Sequence, residues 1–205
     1  MAKRKTAKRA ATKLVAADKK LTHKAAKHRK KPAARLAGWA SEIADQPQLL
    51  ALSLGTLAVG AVTRRGDLAR GGARMLASHL LATAGKAVIK RAVDRARPNH
   101  ALDTGDDRLE EGKGSNRHEF NSFPSGHTAG AVAVARAASH EIDGVGAPAA
   151  LATTAIAAAQ PVAGNHYLLD TLVGGAIGWA AEAAVAAVFD WWEAKAETRP
   201  ASRRS

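Results

Sequence analysis

The chain has 205 residues, enough for one domain. It contains no cysteine, which excludes a disulfide framework and thiolate metal sites. Its formal net charge is +13, and the distribution is uneven: residues 1–35 hold 14 Lys and Arg against one acid, Asp18, while the remaining 170 residues hold 17 charges of each sign.

Residues 1–35 have no aromatic side chain and few large apolar ones. They are expected to form a basic tail that is disordered or a fluctuating Lys-rich helix. No apolar run follows the first charges, so the segment is not a secretory leader. Such a tail can bind anionic lipid headgroups or nucleic acid through its cations, or simply stay solvated.

Apolar stretches rich in Ala, Leu, Val and Gly then recur at 48–63, 71–89, 128–139, 144–163 and 168–189. Each is about the length of a helix that crosses a bilayer or falls a little short of it. Several carry a charge, at Arg74, Lys86, Arg136 and Glu182. Three features favour a membrane over a soluble bundle. The stretch 144–163 is uncharged. Gly174, Gly175 and Gly178 permit close helix contact. Trp191 and Trp192 follow the last stretch, where an interfacial aromatic belt belongs. The expected fold class is therefore all-α: a membrane-embedded bundle of about five helices over residues 36–195, with a basic tail at 1–35 and a C-terminal tail at 196–205.

Between the second and third stretches, residues 98–123 are polar, acidic and glycine-containing, and are expected to be a loop facing substrate. Before it, Lys90 and Arg97 are seven residues apart, which places both on one face of a helix that Pro98 would end. After it, Pro124-Ser125-Gly126-His127 precedes an apolar run. Ser125 is a good N-cap, and a helix N-terminus offers free N–H groups to an anion. His127 would stand in that first turn. His166 and Asp170 are i and i+4, so a carboxylate can hold one ring nitrogen protonated and leave the other as nucleophile or base. No other metal-ligand spacing is present, and no cofactor motif.

Taken together, Lys90…Arg97-Pro98, Pro124-Ser125-Gly126-His127 and His166…Asp170 resemble the three motifs of the type 2 phosphatidic acid phosphatase (PAP2) superfamily, which also includes bacterial acid phosphatases and vanadium haloperoxidases. The likeness spans roughly residues 40–190. It implies a metal-independent phosphatase with His166 as a nucleophile that forms a phosphohistidine, Asp170 orienting it, and His127 as general acid. Lys90, Arg97, Ser125 and Gly126 would hold the phosphate. A lipid phosphate would be the substrate, and a bacterial cell membrane the setting. The motifs would lie at one end of the bundle, with the side of the membrane open.

One departure stands out. The family's third motif usually has Ser-Arg where this chain has Ala159 and Gln160. Either another cation serves, with Arg117 the candidate, or Gln160 marks a different chemistry. Gly164 to Tyr167 is similar to a branch related to inositol-phosphorylceramide-synthase-type transferases. A phosphotransferase acting on an alcohol acceptor is thus one alternative. A non-enzymatic membrane- or nucleic-acid-binding protein is another.

Overall fold

The computed structural model describes residues 2–112 and 117–198. They form eight α-helices: α1 (Ala2–Ala26), α2 (Pro32–Ser41), α3 (Gln46–Val62), α4 (Gly66–Ala92), α5 (Pro98–Thr104), α6 (Gly126–Glu141), α7 (Gly146–Ala163) and α8 (Leu168–Glu197). Two three-residue strands, β1 (Val93–Arg95) and β2 (Leu109–Glu111), pair antiparallel with Asp94 opposite Glu110.

The five apolar stretches are α3, α4, α6, α7 and α8, which form the bundle. The expected count of about five misses α1, α2 and α5, which lie outside those stretches. Long α4 packs against α3, α6 and α8. The core between them is small-residue packing: Met75, Ala131, Val134 and Ala137 beside Ala44 and Leu49, and Ala82 with Ala133 and Ala181. Small residues bring backbones close. A Cβ on Gly174 would lie 2.4 Å from the Ser125 carbonyl oxygen, and one on Gly178 would lie 2.3 Å from that of Ala129. Only glycine lets α8 reach α6 there.

Of the two expectations for the basic tail, disorder is corrected and a helix is found, packed on the bundle along one face. Residues 2–26 are helical, because Ala, Lys and Arg are strong helix formers and one face is buried. Asp18, Thr22 and Ala26, spaced i, i+4, i+8, are buried against the bundle. The far end of this helix, residues 5–14, is exposed. The expected C-terminal tail also begins late: α8 continues to Glu197, and residues 199–205 lie outside the described residues.

A second correction concerns Lys90 and Arg97. They do not share a helix. α4 stops at Ala92, β1 intervenes, and Pro98 opens α5 rather than ending a helix. Proline suits that first helical position because its missing N–H has no partner there anyway. The polar stretch 98–123 is not a plain loop either: it holds α5, β2 and a 3-10 turn at His118–Phe120.

Candidate active site

The three motifs converge at one end of the bundle, around a cavity of about 540 Å³. Lys86, Lys90, Arg97, His118, Gly126, His127 and His166 line it, with Glu42, Asp45 and Gln46 on another wall.

Each side chain is placed by local structure. Lys86 and Lys90, one helical turn apart, point from the end of α4. Lys90 Nζ donates to the Asn121 carbonyl oxygen at 3.0 Å. Arg97 is 9% exposed, and it donates to the carbonyl oxygens of His118 at 2.9 Å and Asn165 at 3.3 Å. These bonds fix the guanidinium without neutralising it. Its field reaches His118, whose imidazolium is held below its ordinary range by Arg97 first, then by burial and Lys90. Ser125 caps α6 as expected, accepting the Thr128 N–H.

His166 lies in the α7–α8 connection, after Gly164 in a left-handed conformation (φ 77°) ends α7. Its ring is 1% exposed. Nδ1 lies 2.6 Å from the Ser122 carbonyl oxygen. A carbonyl can only accept, so Nδ1 carries the proton and Nε2 keeps a free lone pair. Burial pushes the His166 imidazolium down to about 4, with Asp170 opposing the shift and Arg97 and Lys90 adding to it. The ring is therefore neutral at pH 7.

Asp170 does not orient His166 by direct contact: the Nδ1–Oδ2 distance is 3.8 Å. That is too long for a hydrogen bond. Asp170 Oδ2 instead accepts from Ser122 Oγ at 2.5 Å and from the Tyr167 N–H at 2.8 Å. It holds the residue whose carbonyl holds His166.

His127 faces His166 across the cavity, with ring centroids 6.1 Å apart. Its Nε2 is 2.8 Å from Asp45 Oδ1, an ion-pair distance whose direction does not satisfy a hydrogen bond. His79 also lines the cavity, buried, with neither ring nitrogen hydrogen-bonded.

Two sequence candidates are not brought here. Gln160 is fully buried outside the cavity lining, donating to Ser41 Oγ at 2.9 Å. Arg117 turns to Glu119 at 2.6 Å and lies over the Phe120 ring. Lys86 is the cation that sequence reasoning passed over. The available signal was its position one helical turn before Lys90, inside an otherwise apolar stretch. Among the described residues, no group of three His, Cys, Asp or Glu side chains is placed to hold a metal ion.

The sequence profile of the PAP2 superfamily matches residues 71–194. The match covers more than half of the chain and all three motifs, and the chain belongs to the PAP2 superfamily. Two solved structures share its fold. Aquifex aeolicus LpxE superposes with a TM-score of 0.60 at 21% identity, over 81% of this chain and 92% of that one. The first transmembrane PAP2 type phosphatidylglycerolphosphate phosphatase from Bacillus subtilis superposes with a TM-score of 0.65 at 19% identity, over 86% of each chain. No curated protein matches the chain.

Proposed function

We propose that this protein is a membrane phosphatase that hydrolyses a lipid phosphate monoester or diphosphate through a phosphohistidine on His166. The observation that carries the reading is the facing pair His166 and His127 in a cavity lined by Lys86, Lys90 and Arg97.

The geometry supports the following steps. The phosphoryl group binds among the three cations and the N-terminal N–H groups of α6. His166 Nε2 attacks phosphorus, and the bond to the leaving oxygen breaks. That oxygen takes a proton from His127. Water then attacks the phosphohistidine, giving its proton to His127, and His166 leaves as neutral imidazole with inorganic phosphate released. Neither step needs a metal. The transferase alternative rests on the absent third-motif arginine and on Gly164 to Tyr167; Lys86 puts a charge in the same cavity, which supports phosphate binding without that arginine.

The membrane setting is supported by exposure. α8 is long and apolar enough to cross a bilayer, and α3 is apolar but shorter. Leu52, Leu54, Val59 and Val62 on α3, and Leu172, Trp179 and Val188 on α8, are exposed. Apolar surface on this scale suits lipid contact. Exposed Trp191 and Trp192 suit a membrane interface. The cationic free end of α1 suits anionic headgroups.

The test is phosphate release by the purified chain in detergent from phosphatidic acid, phosphatidylglycerol phosphate and prenyl diphosphates, with and without chelator. We expect chelator-insensitive release and an acid-labile phosphoenzyme that His166→Ala cannot form. Release that needs Mg²⁺, or that survives His166→Ala, overturns the reading. Phosphate appearing on an added alcohol instead of in solution would favour the transferase.

A further inference from the structure

We propose that the N-terminal helix is part of the catalytic apparatus, and that Asp18 is a positioning residue for His166, acting through Arg95 and Asp170. The proposal rests on the reading of His166 as nucleophile.

Asp18 is the one acid among the 14 cations of residues 1–35, and it is buried. A carboxylate taken out of water needs partners. Both of its oxygens have them. Oδ2 accepts from Arg95 Nη2 at 2.6 Å, and Oδ1 accepts from the Leu169 N–H at 3.0 Å. One helical turn later, Thr22 Oγ1 accepts from the Leu168 N–H at 3.2 Å. α1 therefore satisfies the first two amides of α8, which begins two residues after His166.

Arg95 carries the connection inward. It is 2% exposed and lies between two carboxylates, with Nη1 donating to Asp170 Oδ1 at 2.5 Å. Its guanidinium lies 3.8 Å over the Tyr167 ring. Asp170 holds Ser122, and Ser122 holds His166 Nδ1. An unbroken series of buried contacts thus runs from Asp18 through Arg95, Asp170 and Ser122 to His166. None of these residues except His166 lines the cavity. Without Asp18, Arg95 keeps its charge but loses one of its two anionic partners. A buried guanidinium in that state shifts toward whatever acceptor remains, and Asp170 shifts with it. His166 then loses the bond that fixes its tautomer, while the phosphate cradle of Lys86, Lys90 and Arg97 is untouched.

The experiment uses the full chain in detergent, with para-nitrophenyl phosphate as substrate. Asp18→Asn is nearly isosteric. We expect it to lower kcat by about ten- to a hundredfold, the usual cost of removing an outer support. KM and inhibition by inorganic phosphate should be unchanged. Asp18→Asn added to Arg95→Ala should cost nothing further, because both act through one path. Lys13→Ala, on the exposed end of α1 and away from that path, should keep wild-type kcat. Wild-type kcat in Asp18→Asn, fully multiplicative losses in the double variant, or an equal loss in Lys13→Ala would overturn the proposal. If Asp18→Asn does not fold, Thr22→Ala decides: a lower kcat at unchanged KM supports the role of α1, and wild-type kcat overturns it. The ¹⁵N imidazole resonances of His166 give a reading independent of turnover. We expect the Nδ1–H form in wild type and a mixed tautomer in Asp18→Asn, and an unaltered spectrum overturns the positioning role. If wild type releases no phosphate, the phosphatase reading fails, and these resonances still test the connection from Asp18.

Discussion

Lys86 and Gly126 meet at the N-terminus of α6: a Cβ on Gly126 would lie 3.0 Å from Lys86 Nζ. The missing side chain leaves room for the ammonium beside the free amides of the helix. A cation and a helix N-terminus then face one anion. Replacing Lys86 by Gln removes a charged contact worth about 1.5–3 kcal/mol. If it is made in the transition state, kcat/KM for phosphate release should fall roughly ten- to a hundredfold. Gly126→Ala should cost less, because the Lys86 side chain is flexible and can yield. Wild-type kcat/KM in Lys86→Gln would leave the cradle to Lys90 and Arg97 alone.

Ser122 separates two roles that the spacing of His166 and Asp170 had merged. Its carbonyl holds His166, and its hydroxyl holds Asp170. Ser122→Ala keeps the first contact and loses the second. We expect a loss of kcat of about ten- to a hundredfold, at least that of Asp18→Asn, because the connection from Asp18 to His166 runs through this hydroxyl. Asp170→Asn also disturbs the buried ion pair with Arg95 and should cost more than Ser122→Ala. His166→Ala should abolish turnover. The order of the three, read from single-turnover phosphate release, is the check. Equal losses in Ser122→Ala and His166→Ala would mean that the carbonyl contact does not survive without the hydroxyl.

The site was legible where local sequence dictates local structure. Ser125 capping α6 follows from its place before an apolar run, whereas the meeting of His127 and His166 was implied only by the resemblance of their motifs to the family. What was not legible depends on tertiary pairing. Nothing local says that Asp18 meets Arg95, a contact across 77 positions. Without that partner, residues 1–35 look like a solvated basic run. The strand β1 was hidden because it is three residues long and its partner lies beyond α5. Lys86 was discounted because a charge in an apolar stretch reads as an argument about hydropathy, not chemistry.

Deleting all of residues 1–35 should now behave differently from deleting only the free end. Residues 5–14 are exposed and carry Lys5, Lys8, Arg9 and Lys13. Removing residues 2–13 should leave detergent activity intact. It should weaken association with anionic vesicles relative to neutral ones, more at low salt than at high salt. Removing residues 1–35 takes Asp18 and Thr22 as well, and should cost both kcat and thermal stability. Equal activity of the two deletions would show that α1 is a bystander.

Gln160 should resist the family's arginine. Its side chain is fully buried, donates to Ser41 and leaves Oε1 without a partner. An arginine there would bring a charge into a fully buried place where Gln160 donates to neutral acceptors, the Ser41 hydroxyl and the Ile156 carbonyl, so Gln160→Arg should lower the melting temperature and not raise hydrolysis. Arg117→Ala removes an exposed, solvent-screened ion pair with Glu119. Its kcat/KM should match wild type. Faster hydrolysis in a stable Gln160→Arg would place residue 160 at the phosphate after all.

The acid limb of the pH profile should be low. His166 attacks through a lone pair, so only the neutral ring is competent. Burial holds its imidazolium down to about 4, Asp170 opposes this, and Arg97 and Lys90 add to it. An ordinary histidine, with a pKa of about 6.5, would lose its lone pair through pH 6. Here the neutral form persists as pH falls, and is lost only through about 4. Below that point kcat/KM should fall about tenfold per pH unit. Removing cations moves the limb in a defined direction. Lys90→Gln takes away a positive charge that disfavours the imidazolium, so the limb should shift upward in pH even as the rate falls. A limb near 6.5 in wild type, or a downward shift in Lys90→Gln, would mean that the group titrating there is not His166.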